Sequence, residues 1–306
     1  MIRPHALRAG DRVALVAPAS SFKRDEFDRG VAELRSLGFE PAYDESVFDT
    51  LGYLAGRPDV RASALQRAWQ DSSIRAIMAV RGGYGSAQLL PLLDGRAIRQ
   101  ARKVFVGYSD ISALLWLHLK HGVISFHGPM LEGRLARGPD GYDRRSFLGA
   151  VMEPSPLGEL APAGLEAVWP GEASGVLAGG TLTQLVSLLG TRWSFSPPRG
   201  SVLFIEDIGE RPYRIDRMLT QLAQAGVLGS AAALVFGVFP HCDEPGGQLC
   251  AKDVIRAATQ HLKVPVLFGF PSGHTPGRIW TLPLGVRARV LAGSSPALVI
   301  EEAAVA

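Results

Sequence analysis

The chain has 306 residues, enough for one large or two ordinary domains. Hydrophobic residues make up 47% of it and charged residues 20%, which is typical of a globular protein with real apolar cores. The 32 basic and 29 acidic residues are interspersed and the net charge is +3, so the charge pattern has no footprint of a nucleic-acid-binding surface. Neither a signal peptide nor an apolar run of roughly 18 residues is present, so we expect a cytoplasmic protein.

The first half of the chain alternates between short apolar runs and stretches with helical spacing. The predicted strands cover residues 12–18, 39–43, 74–80 and 104–106, and each is separated from the next by helical sequence. This order predicts a parallel α/β sheet, in which ligands bind outside the carboxyl ends of the strands. Two glycine-containing turns fall at such ends: Arg81-Gly82-Gly83-Tyr84-Gly85 and Gly107-Tyr108-Ser109-Asp110.

Ser109 occupies the turn between the strand at 104–106 and a helix that begins near residue 111. A serine on a sharp strand-to-helix turn projects its hydroxyl from the fold beside helix N–H groups, as at a nucleophile elbow. The alternative is an ordinary helix N-cap, because serine and aspartate are favoured there and the G-x-S-x-G pattern is absent.

The middle of the chain differs in composition. Residues 138–175 are rich in proline and glycine and show little periodicity, which predicts a region between domains. We therefore expect an N-terminal α/β domain over 1–140, a linker over 141–170 and a C-terminal domain over 171–306. The last of these is richer in strands and favours an α+β, barrel-like domain. Its two cysteines, Cys242 and Cys250, could form a disulfide on spacing alone, but idle thiols fit better and no metal-ligand spacing surrounds them.

Two further residues could complete a serine hydrolase site. Glu206 ends a buried strand, and His274 lies in a proline- and glycine-rich loop after another strand. A nucleophile, a base and a carboxylate that holds the base are the parts of a catalytic triad. The alternatives are a surface-loop histidine at 274 and a Glu206 that pairs with a nearby arginine, Arg211, Arg214 or Arg217.

Six segments in order resemble the LD-carboxypeptidase family, which includes murein tetrapeptide carboxypeptidases and microcin-immunity proteins. The segments are Arg81-Gly-Gly-Tyr-Gly85, Gly107-Tyr-Ser-Asp110, His127-Gly-Pro-Met130, Gly179-Gly-Thr-Leu182, the stretch from Phe204 through Glu210 to Leu219, and Gly273-His274 with Thr281-Leu-Pro-Leu-Gly285. Gly52-Tyr-Leu-Ala-Gly56 fits as well. One departure is Gly180-Thr-Leu182, where many relatives carry Gly-Asn-Leu, which puts an amide contact from this position in doubt.

The resemblance implies a triad of Ser109, Glu206 and His274, and we expect neither a metal nor a cofactor. It also implies a C-terminal domain of the swivelling type, a cytoplasmic homodimer and a murein tetrapeptide substrate that ends in D-Ala. From the chemistry we expect the N–H groups of Asp110 and Gly83 to form the oxyanion hole, with Gly82 as the fallback. Arg81, Gly82 and Tyr84 are candidates for substrate binding, although Arg81 could equally form a salt bridge within the sheet.

Three functions are compatible with these residues. The first is a serine carboxypeptidase of peptidoglycan recycling, and the second is an immunity-type peptidase that cleaves a peptidyl- or aminoacyl-nucleotide toxin by the same chemistry. The third is a non-catalytic module whose glycine turns hold an anion. A complete triad argues against the third.

Overall fold

A computed structural model describes residues 1–306, which form two compact units. Unit 1 comprises Met1–Ser155, Gly277–Gly285 and Ala303–Ala306, and unit 2 comprises Pro156–Pro276 and Val286–Glu302. These divisions differ from the predicted ones, because the chain returns to unit 1 twice. The predicted linker over 141–170 is divided at Ser155 and contains a helix and two strands.

Unit 1 is a six-stranded sheet with helices. Its strands are β1 (Arg12–Val16), β2 (Glu40–Ala42), β3 (Ile74–Ala79), β4 (Val104–Gly107), β5 (Ser125–His127) and β12 (Leu282–Leu284). Its helices are α1 (Arg24–Ser36), α2 (Pro58–Gln70), α3 (Gly95–Ala101), α4 (Ser112–Lys120) and α5 (Arg144–Met152). The strand order is β12-β5-β4-β3-β1-β2. Strands β1 to β5 are parallel to their neighbours, and β12 runs antiparallel to β5.

The parallel part of this sheet follows from apolar strands that helices can cover. All four residues of β4 are buried, as are five of the six in β3. Helix α4 is buried along its whole length except Lys120, so it belongs to the interior of the unit. A strand buried on both faces reads as a continuous apolar run. The N-terminal α/β sheet predicted from the sequence is therefore confirmed, with one antiparallel edge strand added.

Unit 2 is built on an eight-stranded mixed sheet. Its strands are β6 (Gly158–Leu160), β7 (Glu166–Trp169), β8 (Gly171–Thr181), β9 (Val202–Glu206), β10 (Ala233–Phe236), β11 (Val266–Phe268), β13 (Arg287–Ala292) and β14 (Ala297–Ile300). Its helices are α6 (Leu182–Ser187), α7 (Pro212–Gln224) and α8 (Ala251–Thr259). The strand order is β6-β14-β13-β8-β9-β10-β11-β7, with β8 to β11 parallel and every other pairing antiparallel.

Strand β8 is long because it serves two partners. Its first half pairs antiparallel with β13, from Gly171 to Val176, and its second half pairs parallel with β9, from Leu177 to Thr181. Strand β13 also lies near β7 and β11 at the other side of the sheet, so the sheet curls. The predicted combination of a parallel-sheet domain with a strand-rich α+β domain is confirmed. The swivelling character of the second domain stays a prediction.

Helix α7 shows how the sequence pattern sets the packing of unit 2. Ile215, Leu219 and Leu222 are buried, as their helical spacing predicts, and Pro212 begins the helix at a position where its missing N–H costs nothing. The two cysteines are free thiols, with Cys242 buried and Cys250 partly exposed. None of the helices combines the length and the apolar character needed to cross a membrane.

Candidate active site

Ser109 lies on the sharp turn that the sequence predicts. Strand β4 ends at Gly107, a single 3₁₀ turn covers Ser109–Ile111, and α4 starts at Ser112. Ser109 has a φ of 63°, in the left-handed region that L-residues with a side chain rarely adopt. Such a conformation costs about 1–3 kcal/mol and is concentrated at functional sites. The strain therefore supports an elbow that presents a nucleophile.

Gly107 makes this turn sterically possible. A Cβ atom added at Gly107 would lie 2.7 Å from Cγ2 of Ile111, at the start of the following helix. The helix can therefore pack against the strand end only if residue 107 has no side chain. The N-cap alternative for Ser109 is not supported, because no side-chain hydrogen bond caps either the 3₁₀ turn or α4.

The glycine-rich turn after β3 lies against Ser109. A Cβ atom on Gly82 would be 2.9 Å from Cβ and 3.1 Å from Oγ of Ser109, and 3.4 Å from the backbone nitrogen of Asp110. Only glycine allows the backbone to come this close. The predicted grouping of the two turns at one sheet end is therefore present in unit 1.

Gly83 and Tyr84 are anchored to Ser20. Gly83 has a φ of 91°, and a side chain there would collide with the Ser20 hydroxyl. The backbone N–H of Tyr84 donates to Ser20 Oγ at 3.0 Å, and Ser20 N–H donates to the carbonyl of Gly82 at 3.1 Å. The Tyr84 ring is 50% exposed and meets the ring of Tyr53 edge-on at 5.7 Å. The turn that carries the predicted oxyanion donor is thus rigidly held, while Tyr84 projects outward.

Arg81 forms a salt bridge, which was the alternative to a role in substrate binding. Its Nε lies 3.0 Å from Oε2 of Glu132, and its Nη1 donates to the carbonyl of Ser21 at 2.6 Å. The Arg81 side chain is nevertheless 42% exposed, against 13% for Glu132. The guanidinium is therefore oriented by protein groups, and its role in substrate binding stays a prediction.

A buried polar cluster supports the elbow from behind. Asp110 accepts a hydrogen bond from the N–H of Ser86 at 2.7 Å, and Ser86 Oγ donates to the carbonyl of Asp110 at 2.5 Å. Burial raises the pKa of Asp110, whereas these hydrogen bonds and the charge of Arg61 oppose that rise. Arg61 is itself buried and donates to the carbonyls of Pro18, Gly56 and Gly85.

In unit 2, Glu206 and His274 form a close pair. Glu206 Oε2 lies 2.9 Å from His274 Nδ1 and accepts the backbone N–H of His274 at 2.8 Å. The Glu206 side chain is fully buried, and that of His274 is 17% exposed. An ionised carboxylate only accepts hydrogen bonds, so a charged Glu206 requires the proton on Nδ1 and makes Nε2 the basic nitrogen of the ring. This is the arrangement of a base held by its orienting acid.

Two of the three arginines proposed as alternative partners of Glu206 pair elsewhere. Arg211 Nη1 lies 2.9 Å from Glu244 Oε2, and Arg214 Nη1 lies 3.5 Å from Glu210 Oε2. Glu206 is thus the acid that meets the histidine, as the family resemblance implies. His274 is held by a buried carboxylate, so it is not an ordinary surface-loop histidine.

Two glycines shape the space around the Glu206 side chain. Gly273 has a φ of 77°, and a side chain there would collide with the Glu206 carboxyl group. A Cβ on Gly237 would lie 2.5 Å from the Glu206 Cβ. The loop before His274 can therefore close over the acid only because both positions lack side chains.

Asp207 follows Glu206 and points to a different partner. Its Oδ2 accepts from the N–H of Thr183 at 2.9 Å and from the Thr183 hydroxyl at 2.7 Å. Burial, followed by the nearby charge of Glu206, raises the pKa of Asp207 to about 6. Asp207 therefore ties the end of β9 to the start of α6.

Three supporting residues escaped the sequence analysis. Arg61 and Ser86 stabilise the turn that carries Ser109. Several of their hydrogen-bond partners lie 24 to 43 residues away in the chain, so no local motif indicates these contacts. Thr181 donates a hydrogen bond from its hydroxyl to Oε1 of Glu206. The only sequence signal for Thr181 was its departure from the family pattern.

Two family models match this chain, and each covers one of the two sets of site residues. The model of the LD-carboxypeptidase N-terminal domain matches residues 13–128, which include Ser109, and the C-terminal domain model matches residues 174–290, which include Glu206 and His274. The chain belongs to the LD-carboxypeptidase family. It is therefore an enzyme of the carboxypeptidase type, and the resemblance drawn from the sequence is confirmed.

Individual relatives match over almost the whole chain. A probable murein peptide carboxypeptidase of Bacillus subtilis is 34% identical over 97% of this chain and 94% of its own length. The crystal structure of a muramoyltetrapeptide carboxypeptidase from Oxalobacter formigenes superposes with a TM-score of 0.84 at 29% identity, covering 95% of this chain and 99% of the other. The microcin C7 self-immunity protein in complex with aspartyl sulfamoyl adenosine superposes with a TM-score of 0.91 at 25% identity, covering 100% of both chains.

Proposed function

We propose that this member of the LD-carboxypeptidase family is a serine carboxypeptidase that releases terminal D-Ala from the murein tetrapeptide, in peptidoglycan recycling. The bond it cleaves joins the L-centre of the third residue, a diamino acid, to D-Ala. The single observation that carries the proposal is the Glu206–His274 pair, in which one carboxylate oxygen holds both the ring and the backbone of the histidine. The family match of both halves of the chain supports the same conclusion.

The proposed mechanism follows from the protonation states. Ser109 attacks the scissile carbonyl, and His274 Nε2 takes the hydroxyl proton and then delivers it to the leaving amine of D-Ala. Glu206 fixes the Nδ1–H tautomer and stabilises the imidazolium that forms. Water then attacks the acyl-enzyme, with His274 again acting as the base, and regenerates Ser109.

The tetrahedral intermediate carries a negative charge that needs N–H donors. We propose the backbone N–H groups of Asp110 and Gly83, with Gly82 as the fallback. The close approach of the 82–83 turn to Ser109 supports this assignment. One donor of this kind contributes about 2.7–4 kcal/mol to transition-state stabilisation. Because the Gly83 turn is anchored on Ser20, its donors need no reorganisation when the charge appears.

The proposed substrate ends in a free carboxylate one residue beyond the cut. A carboxylate is costly to desolvate unless a cation or clustered N–H groups receive it. We propose Arg81, Gly82 and Tyr84 as the residues that contact the substrate. The exposed part of Arg81 and the outward-facing Tyr84 ring support this, because both belong to the turn that touches Ser109.

The proposal includes a cytoplasmic homodimer, as the family resemblance implies. A recycling enzyme meets its peptides inside the cell, where no secretion signal is needed. Light scattering coupled to size-exclusion chromatography tests the dimer, with an expected mass of twice 32.7 kDa.

The direct test is mass spectrometry of the purified protein incubated with tetrapeptide and pentapeptide stems. We expect loss of one alanine from the tetrapeptide and little turnover of the pentapeptide, whose carboxylate lies one residue too far from the cut. Release of D-Ala-D-Ala, or cleavage inside the stem, would contradict a carboxypeptidase that acts on the L-to-D bond.

A second candidate function rests on the similarity to the microcin C7 self-immunity protein, which extends over the whole of both chains. The same nucleophile and base would then cleave a peptidyl- or aminoacyl-nucleotide toxin. Incubation with aspartyl sulfamoyl adenosine separates the two functions. Turnover of this compound at a higher kcat/KM than the tetrapeptide would favour the immunity function.

A further inference from the structure

We propose that Thr181 is a positioning residue, whose hydroxyl holds the Glu206 carboxylate ionised and in the rotamer that presents Oε2 to His274. This inference deepens the proposed function, and it rests on that function for its kinetic readout. It concerns three elements of unit 2: the end of β8, the end of β9 and the loop that carries His274.

Strand register places Thr181 and Glu206 side by side. They are direct partners in the parallel pairing of β8 with β9, after the pairs Gly179 with Phe204 and Gly180 with Ile205. Paired residues of adjacent strands project their side chains to the same face of a sheet. The Thr181 hydroxyl donates to Glu206 Oε1, while His274 uses Oε2. Each of the two oxygens of this carboxylate is thus engaged by a different residue.

The backbone before Thr181 is built for this approach. Gly179 and Gly180 both have a φ of 147°, and a Cβ on Gly179 would collide with the carbonyl of Phe204. The end of β8 therefore lies closer to β9 than a residue with a side chain would allow. Thr181, at 4% exposure, is the first residue after these glycines that carries a side chain.

The hydroxyl of Thr183, at the start of α6, gives the neighbouring acid Asp207 a partner of its own. Thr183 holds Asp207 through both its N–H and its hydroxyl, and Thr181 holds Glu206. Each of the two consecutive acids is therefore bound by its own threonine, and the two threonines are two residues apart in the chain. Asp207 is therefore engaged by Thr183, while Glu206 is engaged by Thr181 and His274.

The hydroxyl has a predictable effect on proton binding. Glu206 is fully buried, and burial disfavours a carboxylate unless donors stabilise its charge. The titratable groups close to it include His274 on the loop and Asp207, the residue after β9, with the Cys242 thiol beyond Asp207. Loss of a donor destabilises the state in which Glu206 is charged and His274 is neutral, relative to the state with one more proton on the pair. The pair then takes up that proton at a higher pH.

The experiment compares Thr181→Val, which removes the hydroxyl at nearly constant volume, with Thr181→Ser, which retains it. Thr191→Val is the control, because Thr191 is exposed and its hydroxyl donates to the nearby carbonyl of Leu188. The first readout is an NMR titration of the His274 imidazole in the full chain, which needs no substrate. We expect Thr181→Val to raise the apparent pKa of the pair by about half a unit to one unit. Thr181→Ser and Thr191→Val should match the wild type.

The second readout is kinetic. With the tetrapeptide, we expect Thr181→Val to lower kcat at pH 7 by about 3- to 30-fold at unchanged KM, and to move the acid limb of kcat/KM upward by the same shift. A folded Thr181→Val protein with a wild-type titration, or a Thr181→Ser protein as impaired as Thr181→Val, would overturn the role of the hydroxyl. If the wild type cleaves no tetrapeptide, the proposed function fails, and the NMR titration still decides the role of Thr181. If Thr181→Val does not fold, the titration of Thr181→Ser against that of Thr181→Ala decides it.

Discussion

Glu206 and His274 are joined twice through a single oxygen. Oε2 of Glu206 accepts the His274 backbone N–H at 2.8 Å and faces ring Nδ1 at 2.9 Å. The backbone contact fixes where the loop lies, and the ring contact fixes the tautomer and direction of the imidazole. One buried carboxylate therefore controls both the position and the chemistry of the proposed base.

Replacement of the acid tests this control. Glu206→Gln keeps the shape of the side chain but removes the charge, and an amide can present its NH2 group to Nδ1 and so favour the wrong tautomer. We expect kcat to fall by on the order of 10³- to 10⁴-fold. Asp207→Asn and Glu210→Gln are matched controls, because Asp207 binds Thr183 and Glu210 pairs with Arg214. If either control lowers kcat more than Glu206→Gln, the acid is assigned wrongly.

The glycine beside the acid makes a second prediction. Gly273→Ala places a methyl group against the Glu206 carboxyl at a positive φ. We expect the loop to shift, the contact with His274 to lengthen and kcat to fall at least tenfold. Gly229→Ala in the same unit meets no atom within 4 Å and serves as the control. Equal kcat for the two variants would show that the Gly273 loop does not set the position of the base.

Asp207 predicts a pH dependence of stability. Burial is the main reason why its pKa rises to about 6 in the folded chain, from the value of 3.8 usual for an aspartate. Between these values the folded state retains a proton that the unfolded state has lost, so this group makes the free energy of unfolding fall as pH rises, by up to about 3 kcal/mol. About one pH unit above the folded-state pKa the contribution becomes constant. Urea unfolding of the wild type and of Asp207→Asn from pH 4 to 7 measures this contribution. It is the difference between the two proteins in how steeply the free energy of unfolding changes with pH. If the difference in the free energy of unfolding between the two proteins does not change from pH 4 to 7, the prediction is wrong.

Recognition of the substrate carboxylate makes the fourth prediction. We expect the tetrapeptide to be cleaved at least tenfold faster, in kcat/KM, than its C-terminal amide, because groups that bind a carboxylate are left unpaired by the neutral analogue. Arg81→Met should erase this preference. Glu132→Gln removes the partner of Arg81 and leaves the guanidinium in place, so it should retain the preference. A preference that survives Arg81→Met would assign the role to the N–H groups of the glycine turn.

The sequence predicted the local features of the site well. The strand, the glycine turns and the elbow depend on short-range patterns, and Ser109 adopts the strained conformation that such a turn requires. The sequence also places Glu206 at the end of a buried strand. Its partner was predicted through the family resemblance, because several arginines lie nearer in the chain and local spacing did not exclude them.

The features that the sequence did not predict depend on long-range pairing. Strand β12 joins the first sheet by pairing Leu282 with His127, and no local signal in residues 277–285 indicates that the chain returns to unit 1. The proline-rich region contains α5, because Asp143 caps that helix by accepting the N–H of Ser146. Contacts such as Arg61 with Pro18 are decided only when the fold is complete.

The most direct test of the account is release of D-Ala from the tetrapeptide by the wild type and by Ser109→Ala, measured side by side by mass spectrometry. Ser36→Ala is the control, because Ser36 is an exposed serine at the end of α1. We expect wild-type and Ser36→Ala proteins to release D-Ala at equal rates. Ser109→Ala should remain folded and show no turnover above a residual of about 10⁻³ of the wild-type rate or less. Near-wild-type release of D-Ala by a folded Ser109→Ala protein would contradict the assignment of Ser109 as the nucleophile.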